Sequence, residues 1–407
     1  MDRLSASDST QADLPEASIR IEVVRKRAGF EALEGPWNDL FTVAALPQHV
    51  FQNFNWLWHW ANHYLDDSIG LTIIAGWQGD RLVMVWPLVM KGGFPFRRLS
   101  WMGEPVSQYG DALVAHSAWR DDWMAQGWKA VMSLGADIAY LRKVRADSNV
   151  ALLLENRSNA KCFSTGAPYL ELSSAPDFET YEKRYPAKLR SSRRRYLRRL
   201  QDEGSITFEE ATNGPLGRSL SEKAILQKLS WVERHGVIAP NIMDPRFRRF
   251  FDDVSSGFDR QVDLRTVAVL CDGEPVGIEI SVLCKGHLFG HVIAYSPDFE
   301  KKGIGTVLAE FAIKAAHDHG FKVYDLLAPA DAYKMQWADG ITQVKDWAVP
   351  LSPVGSMFAN SWMSVVRPYL KASLERTPMA IRLAYIRHVS RRNRGKPVAA
   401  CHPEAAE

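Results

Sequence analysis

The sequence predicts a mixed α/β (α+β) fold made of two units of similar build. Two hairpin signals support it, "LTIIAGWQGDRLVMVWPLVM" and "LRTVAVLCDGEPVGIEISVLC", each with two β-rich apolar runs around a short polar turn. A helical segment precedes each hairpin, and further strands and a helix follow it. The order of elements repeats without any repeat of residue identity, so we expect two domains of mixed sheets flanked by helices.

The first unit begins with "IRIEVVRK", which alternates as a strand does. A helix containing Phe30, Leu33, Trp37 and Leu40 follows, and then the first hairpin, turned at 78–80. The runs "FRRLSWMG" and "IAYLRKV" predict strands on either side of a helix, and "ALLLE" and "APYLELS" complete the unit.

The second unit follows the same plan. "ITFEEAT" predicts a strand, "LGRSLSEKAILQKLSWVERHG" a helix, and Asp272-Gly273 the turn of the second hairpin. "HLFGHVIAY", a glycine turn, a helix to about His319 and the strand "KVYDLLA" complete it. We expect a disordered leader, an N-terminal domain, a basic connecting helix, a C-terminal domain and a basic helical tail, at residues 1–18, 19–175, 176–205, 206–352 and 353–407.

Composition narrows the function classes. The 407 residues are 46% hydrophobic and 24% charged, as in a soluble globular protein, and a net charge of +3 gives no argument for nucleic acid. The first 18 residues lack an apolar signal core, and no stretch approaches the ~20 apolar residues of a membrane span. The four scattered cysteines fit free thiols in a reducing compartment. We therefore expect a cytoplasmic protein, with contact at the inner face of the membrane left open.

The stretch "SPDFEKKGIGTVLAEFAIKAAHDHG" places two glycines between a strand and a long helix. A dinucleotide-binding fingerprint requires a third glycine at the position of Leu308, and a P-loop requires a lysine after the second glycine. Neither motif fits this stretch. The remaining candidate is the acyl-coenzyme A turn of the GNAT acyltransferases, read here from Glu300 to Gly305. A tight turn that binds nothing is the alternative.

Backbone chemistry favours an anion at this turn. Gly303 and Gly305 let the chain approach a pyrophosphate without a Cβ in the way, and the free N–H groups of the first helical turn meet its charge. Lysines at the rim add positive charge. The predicted acyl-CoA site consists of Lys301, Lys302, Gly303, Ile304, Gly305 and Thr306.

Six stretches resemble the GNAT-like acyltransferases of the cellulose-biosynthesis protein CelD type, which are related to the FemAB aminoacyl transferases. They are "FQNFNWLWHW", "VMVWPLVM", "SQYGDALV", "KLRSSRRRYLRRLQDEG", "YSPDFEKKGIGTVLAEFAIKAA" and "YDLLAPADAYKMQWA", spread over residues 30–350. The resemblance implies two tandem GNAT-like domains with the acyl-CoA site in the second. Glu300 departs from the family, which has a basic or amide residue at that place.

Acyl transfer to an amine needs a base for the amine and an acid for the departing thiolate. Tyr333 is a candidate acid, on a segment where the resemblance also points to a Tyr-Lys pair. Glu279 interrupts an apolar series and faces away from it, so a raised pKa would suit it as base. His291 is a second candidate base and is expected to share a strand face with Ile293 and Tyr295. Packed structural roles are the alternative for all three.

Two segments are basic. "KLRSSRRRYLRR" predicts an amphipathic helix whose arginines form either a solvated face or an anion-binding face. From it we expect Arg190 and Arg194 to bind substrate, together with Lys334. The tail from Arg367 to Lys396 has Glu375 as its single acidic residue, which is typical of helices that lie on anionic membranes.

The leading hypothesis is an acyl-CoA-dependent N-acyltransferase that acts on an amino group of a cell-envelope precursor, either a polysaccharide sugar or a lipid base. One alternative is a FemAB-like transferase that takes its aminoacyl group from tRNA. Another is a degenerate GNAT that regulates envelope polysaccharide synthesis, an idea that rests on Glu300. We expect acyl-CoA as co-substrate, no metal, a small-molecule or lipid-linked amine as acceptor, and no nucleic acid partner.

Overall fold

The structure is a computed structural model that describes residues 18–93, 96–366, 369, 373 and 376–394. The expected leader therefore lies outside the described residues, apart from its last position. So do the final residues of the expected basic tail.

The first half alternates short strands and helices and confirms the predicted mixed α/β class. In chain order its elements are β1 (Arg20–Val24), α1 (Arg27–Ala32), α2 (Glu34–Ala44), α3 (Phe54–Tyr64), β2 (Ile69–Leu71), β3 (Ile73–Gln78), β4 (Arg81–Trp86), β5 (Leu88–Lys91), β6 (Arg98–Trp101), β7 (Leu113–Val114), α4 (Arg120–Ser133), β8 (Ile138–Arg145), α5 (Ala151–Glu155) and β9 (Lys161–Glu171). A 3-10 turn at Pro47–Gln52 precedes α3.

The second half repeats the plan with longer strands. Its elements are α6 (Phe178–Glu182), α7 (Ala187–Gln201), β10 (Ile206–Thr212), α8 (Pro215–His235), α9 (Pro240–Met243), α10 (Pro245–Ser256), β11 (Leu264–Cys271), β12 (Glu274–Cys284), β13 (His287–Tyr295), α11 (Ile304–Asp318), β14 (Val323–Asp325), α12 (Ala332–Met335), β15 (Gly340–Pro350), α13 (Pro353–Phe358) and α14 (Met379–Arg394). A 3-10 turn at Pro297–Lys302 leads into α11, and a π-helical turn at Ala359–Val366 follows α13.

Both predicted hairpins form, with their turns at the predicted turn residues. Gly79 has φ +57° between β3 and β4. Asp272 and Gly273 have φ +51° and +82° between β11 and β12, as a two-residue hairpin turn demands. Local turn chemistry therefore sets the pairing next to each turn, and the register then shifts between Gly76 and Trp77 and between Val269 and Leu270.

The two halves share one sheet. Its eleven strands run in the order β10-β11-β12-β13-β14-β9-β15-β8-β6-β5-β2, and β1, β3, β4 and β7 form a separate four-stranded sheet. The last strand of the chain, β15, lies between β8 and β9 of the first half, while β9 also pairs with β14 of the second. Each half thus completes its sheet with a strand from the other, which pairs edges that would otherwise be exposed.

In the second half, two parallel strands pair over a short stretch and then separate. Strands β13 and β14 pair only from His287–Val323 to Phe289–Asp325. Beyond this point β14 ends, whereas β13 continues to Tyr295. The end of β13 therefore lies without β14 as a pairing partner, next to the start of α11.

Two core clusters cover opposite faces of this sheet. Helices α3, α8 and α10 pack on one face against residues such as Ile278 and Ile280, and we call this the first core cluster. Helices α7 and α11 pack on the other face against residues such as Val267 and Val269, the second core cluster. The site described below lies at the end of the second core cluster.

Candidate active site

The glycine turn gives α11 an open N-terminus. Gly303 adopts φ +92° at the N-cap, a conformation that favours glycine, and no described side chain caps the helix. The carbonyl oxygen of Gly303 accepts from the amides of Thr306 and Val307, at 3.0 and 3.3 Å. The amides of Ile304 and Gly305 belong to the first turn, where a helix supplies no acceptor of its own. These amides and the helix dipole form a site suited to an anion.

The two glycines of the turn have different surroundings. A Cβ on Gly303 would lie 2.4 Å from Cδ1 of Tyr196 on α7, so this glycine allows α7 to pack on the turn. A Cβ on Gly305 would meet only Cε1 of Tyr295, at 3.8 Å. Gly305 therefore faces open space, and it is the glycine that leaves room for a ligand.

The other residues of the predicted acyl-CoA site differ in their surroundings: one is exposed to solvent, one forms an ion pair and one is buried in the core. Lys301 is exposed, whereas Lys302 Nζ lies 2.7 Å from Glu203 Oε2 at the end of α7. Ile304 is buried in the second core cluster, so only its backbone faces the turn. The side chain of Thr306 is half-buried. Lys301 is the lysine of this pair whose charge stays at the rim.

Glu300 is held by the end of α8. Its Oε1 atom accepts from Trp231 Nε1 at 3.1 Å and lies 3.0 Å from His235 Nε2. Arg234 Nη2 lies 3.8 Å from Oε2. The carboxylate that departs from the family pattern is thus compensated by its neighbours and is directed to α8.

Glu279 is a buried carboxyl group on the α11 side of the sheet. Its neighbours Ile278 and Ile280 belong to the first core cluster, so alternation directs Glu279 to the opposite face. It is 2% exposed, and Ser281 Oγ donates to its Oε1 at 2.9 Å. Burial raises the pKa of Glu279 to about 7, while Ser281 and the charge of Arg265 act in the lowering direction. A carboxyl group with this pKa can exchange a proton near neutral pH.

Tyr333 lies on α12 beside the diverging strands and is 49% exposed. Burial of part of the ring raises the pKa of its phenol, and the negative charges of Asp331 and Glu279 raise it further. The phenol therefore stays protonated at neutral pH and can donate a proton. The structure brings Glu279 and Tyr333 into one electrostatic environment.

His291 lies on the opposite face of the sheet from Glu279. The β12–β13 register shifts between Gly290 and Val292, so His291 is the extra residue of a β-bulge. Its ring contacts aromatic side chains of the first core cluster, whereas Ile293 and Tyr295 pack in the second. The prediction that the three residues share one face is wrong, because a bulge reverses strand alternation.

The bonding of His291 also favours a structural role. Its Nε2 atom lies 2.6 Å from the Val106 carbonyl oxygen, which can only accept, so Nε2 carries the proton. Burial lowers the pKa of His291 to about 4. The histidine is neutral at pH 7 and ties the sheet to a first-half loop.

The three predicted substrate-binding residues lie in different settings. Lys334 is 8% exposed, and its Nζ donates to the Leu327 carbonyl oxygen at 2.9 Å, which holds the loop after β14. Arg194 is exposed on α7. Arg190, one turn earlier, is half-buried, and its Nε atom has no hydrogen-bond partner among the described residues.

Sequence reasoning missed the residues that frame the site from other elements. Trp231 and His235 come from α8, and Tyr196 from α7 covers the glycine turn. The apolar stripe of the basic helix indicated that Tyr196 is packed, but nothing in the sequence indicated against what.

The described residues contain no helix that combines the length and apolar character needed to cross a membrane. They also contain no group of three or more His, Cys, Asp or Glu side chains placed to hold a metal ion.

Comparison with known proteins identifies part of the chain. Residues 187–335 match the acetyltransferase (GNAT) domain family. No curated protein matches the sequence.

Solved structures are similar to this chain at low sequence identity. A conserved protein of unknown function from Bacteroides thetaiotaomicron VPI-5482 is 9% identical, with a TM-score of 0.51 over 81% of this chain and 100% of that one. FemX is 12% identical, with a TM-score of 0.49 over 74% and 92% of the two chains. A tandem GNAT protein from the clavulanic acid biosynthesis pathway is 13% identical, with a TM-score of 0.44 over 82% and 99%.

The family match covers α7 to α12, which includes the glycine turn, Glu279 and Tyr333. The finer resemblance to the CelD type stays a prediction. Residues 187–335 thus match the GNAT acetyltransferase domain, and the expectation that the protein is an acyltransferase is confirmed.

Proposed function

We propose that the protein transfers an acyl group from acyl-CoA to an amino group of a cell-envelope precursor, either a polysaccharide sugar or a lipid base. The observation that carries the proposal is the uncapped start of α11 beside the diverging strands, with Glu279 and Tyr333 nearby. The acceptor class rests on the family resemblance alone.

The donor would bind along the gap between β13 and β14. Its pyrophosphate would accept from the amides of Ile304 and Gly305 at the N-terminus of α11. Gly305 leaves room for this approach, and Lys301 supplies positive charge at the rim. The thioester would then extend into the gap toward Tyr333.

The reaction balances with two protein groups. Glu279 takes a proton from the attacking amine, directly or through one water molecule, and the nitrogen forms a bond to the thioester carbonyl carbon. The carbon–sulfur bond then breaks, and Tyr333 protonates the departing thiolate. The proton held by Glu279 restores the phenol, so the products are an amide and free coenzyme A.

The surroundings of Glu300 support an enzyme over a degenerate regulator. The regulatory alternative rests on a carboxylate that would repel phosphate. Because Trp231, Arg234 and His235 engage that carboxylate, its repulsion is compensated within the protein.

Replacing Gly305 by valine tests donor binding. The space beside Gly305 accepts a side chain, so the variant should fold but obstruct the pyrophosphate. Calorimetry should show CoA affinity reduced by roughly tenfold or more, since one hydrogen bond to a charged group contributes about 1.5–3 kcal/mol.

Gly35 supplies a matched control. Like Gly305 it is the second residue of a helix, and a Cβ there meets nothing within 4 Å. Gly35→Val should bind CoA as the wild type does. Unchanged CoA affinity in a folded Gly305→Val protein would rule out the donor site.

A further inference from the structure

The basic helix α7 carries a buried guanidinium group that no anion compensates. Arg193 is 3% exposed, and its Nη1 atom has no hydrogen-bond partner among the described residues. Its guanidinium carbon lies 3.7 Å from the ring centroid of Trp337 and 4.1 Å from that of Tyr185. Aromatic rings hold the charge in place but leave the N–H groups of Nη1 unsatisfied, which is unfavourable in a buried setting.

Arg184 shows what a structural arginine looks like in the same aromatic cluster. Its guanidinium group contacts the rings of Tyr181 and Tyr185 and forms an ion pair with Asp339. Arg193 has no ion pair with any described carboxylate. Two arginines therefore share one cluster, and only one has a carboxylate partner.

Acidic residues near Arg193 do not replace a partner. The charges of Glu310 and Glu182 act on Arg193 from a distance without forming an ion pair. Burial raises the pKa of Glu310, while the charge of Arg193 acts on it in the lowering direction. Neither carboxyl group pairs with Arg193.

The position of Arg193 links it to the donor site. Tyr196 packs on Gly303 and lies one helical turn from Arg193, about 4.5 Å along the axis. Trp337, under the guanidinium group, follows α12, and its amide donates to the Lys334 carbonyl oxygen at 3.0 Å. Arg193 thus lies between the glycine turn and the helix that carries Tyr333.

Arg190 lies one turn before Arg193 on the same helix face, and its Nε atom is also buried without a partner. Two guanidinium groups spaced in this way present several N–H donors to one side of α7. Such an arrangement matches the oxygen atoms of a terminal phosphate, which arginine binds through paired hydrogen bonds.

We propose that Arg193, with Arg190, binds a phosphate monoester next to the acyl-CoA turn. This inference rests on the proposed function. The phosphate is either the 3′-phosphate of the donor's ribose or a phosphate carried by the acceptor. Both sources present the same terminal dianion to the same N–H groups.

Calorimetry with CoA and dephospho-CoA, which lacks only the 3′-phosphate, tests the donor as the source. Arg193→Met keeps an unbranched side chain on the two rings and removes the charge. If the donor supplies the phosphate, the wild type prefers CoA, and Arg193→Met lowers CoA affinity by roughly tenfold or more without changing dephospho-CoA affinity. Arg198→Met, at an exposed position of the same helix, should leave both affinities unchanged.

Glycerol 3-phosphate tests the acceptor as the source, because it carries a phosphate monoester without adenosine or pyrophosphate. If the acceptor supplies the phosphate, Arg193→Met weakens glycerol 3-phosphate binding and leaves CoA affinity intact. Equal affinities of wild type and variant for all three probes would overturn the inference, as would an equal loss with CoA and dephospho-CoA.

Two further measurements separate the inference from folding and from the proposed function. Thermal unfolding of Arg193→Met should show no loss of stability, because the substitution removes a buried charge without a partner. A loss of stability would assign Arg193 to the fold and overturn the inference. If Gly305→Val abolishes CoA binding while Arg193→Met changes no affinity, the proposed function stands and the phosphate site fails.

Discussion

The two halves of the molecule each contain a short parallel strand pair joined through a helix, yet the two helices begin differently. In the second half, α11 follows β13, starts at a glycine and has no acidic residue in its first turn. In the first half, β6 and β8 pair over two residues each, and the intervening α4 starts after Trp119 with Asp121 and Asp122 in its first turn.

This difference decides which half can receive an anion. Acidic side chains in the first turn of α4 interact favourably with the helix dipole and repel phosphate. The first turn of α11 contains no acidic residue, so no acid of that turn compensates the dipole of this helix. If α11 binds the donor as proposed, two units of similar build differ in donor binding because of a few residues at one helix start.

The gap beside each strand pair differs as well. The first-half gap is a small cleft. Lys143 Nζ donates there to the Ser107 carbonyl oxygen and to Gln108 Oε1, and burial lowers the pKa of Lys143 to about 8. The cleft is lined by Trp101, Glu104, Pro105, Ser107, Tyr109, Gly110, Arg142 and Lys143. Its charged residues are Glu104, Arg142 and Lys143, whereas the second half has the buried acid Glu279 and a tyrosine, Tyr333, whose pKa responds to it.

The largest expected effect comes from Glu279→Gln. Loss of the base should lower kcat by roughly 10²–10⁴-fold, the range of general base catalysis. In the wild type, kcat/KM should rise with pH through about 7, because only the deprotonated form of Glu279 accepts a proton. The variant should lose this limb of the pH profile.

Glu104→Gln in the first-half cleft is the matched control, and its kcat should stay near the wild-type value. An equal loss of activity in both variants would contradict the functional difference between the halves. A wild-type profile that is flat between pH 6 and 8 would remove Glu279 as the base.

Tyr333→Phe should have the second largest effect. Removing the phenol should reduce kcat by about 10²-fold, the lower end for a general acid, and leave acyl-CoA affinity unchanged. Steady-state kinetics and calorimetry measure the two quantities separately. Full activity in the phenylalanine protein would show that another group protonates the thiolate.

The smallest expected effect concerns the tail, which packs on the second half. Ile386 of α14 is buried against Val232 and Met243, whereas Ile381 and Tyr385 are 60% and 52% exposed. If the tail holds the protein at an anionic membrane, the double substitution Ile381→Ser and Tyr385→Ser should reduce co-sedimentation with anionic vesicles. Each nearby arginine or lysine contributes about 1 kcal/mol, so high salt should release the wild type.

Neutral vesicles are the control for this measurement and should retain neither protein. Equal sedimentation of both proteins with anionic vesicles would leave the exposed apolar residues of α14 without a role at the membrane.

The sequence by itself determined the features that depend on near neighbours. The periodicity of hydrophobic residues predicted the strands and the long helices. The turn residues Gly79 and Asp272-Gly273 predicted the positions of two hairpins. The glycine pair predicted an anion-binding turn, since a strand, glycines and a helix in succession expose backbone N–H groups to a ligand. Alternation gave the correct face for Glu279, because the extra residue of the nearby bulge, His291, lies on β13 and not on β12.

Only the tertiary structure decided how distant segments meet. The exchange of β9 and β15, the bulge that turned His291 to the other face, and the packing of Tyr196 on Gly303 depend on contacts between residues far apart in the chain. The same holds for Arg193, which reads as one of many surface arginines in the sequence and is buried without a partner in the fold. Burial and pairing are properties of the whole packed molecule, so a pattern along one segment cannot supply them.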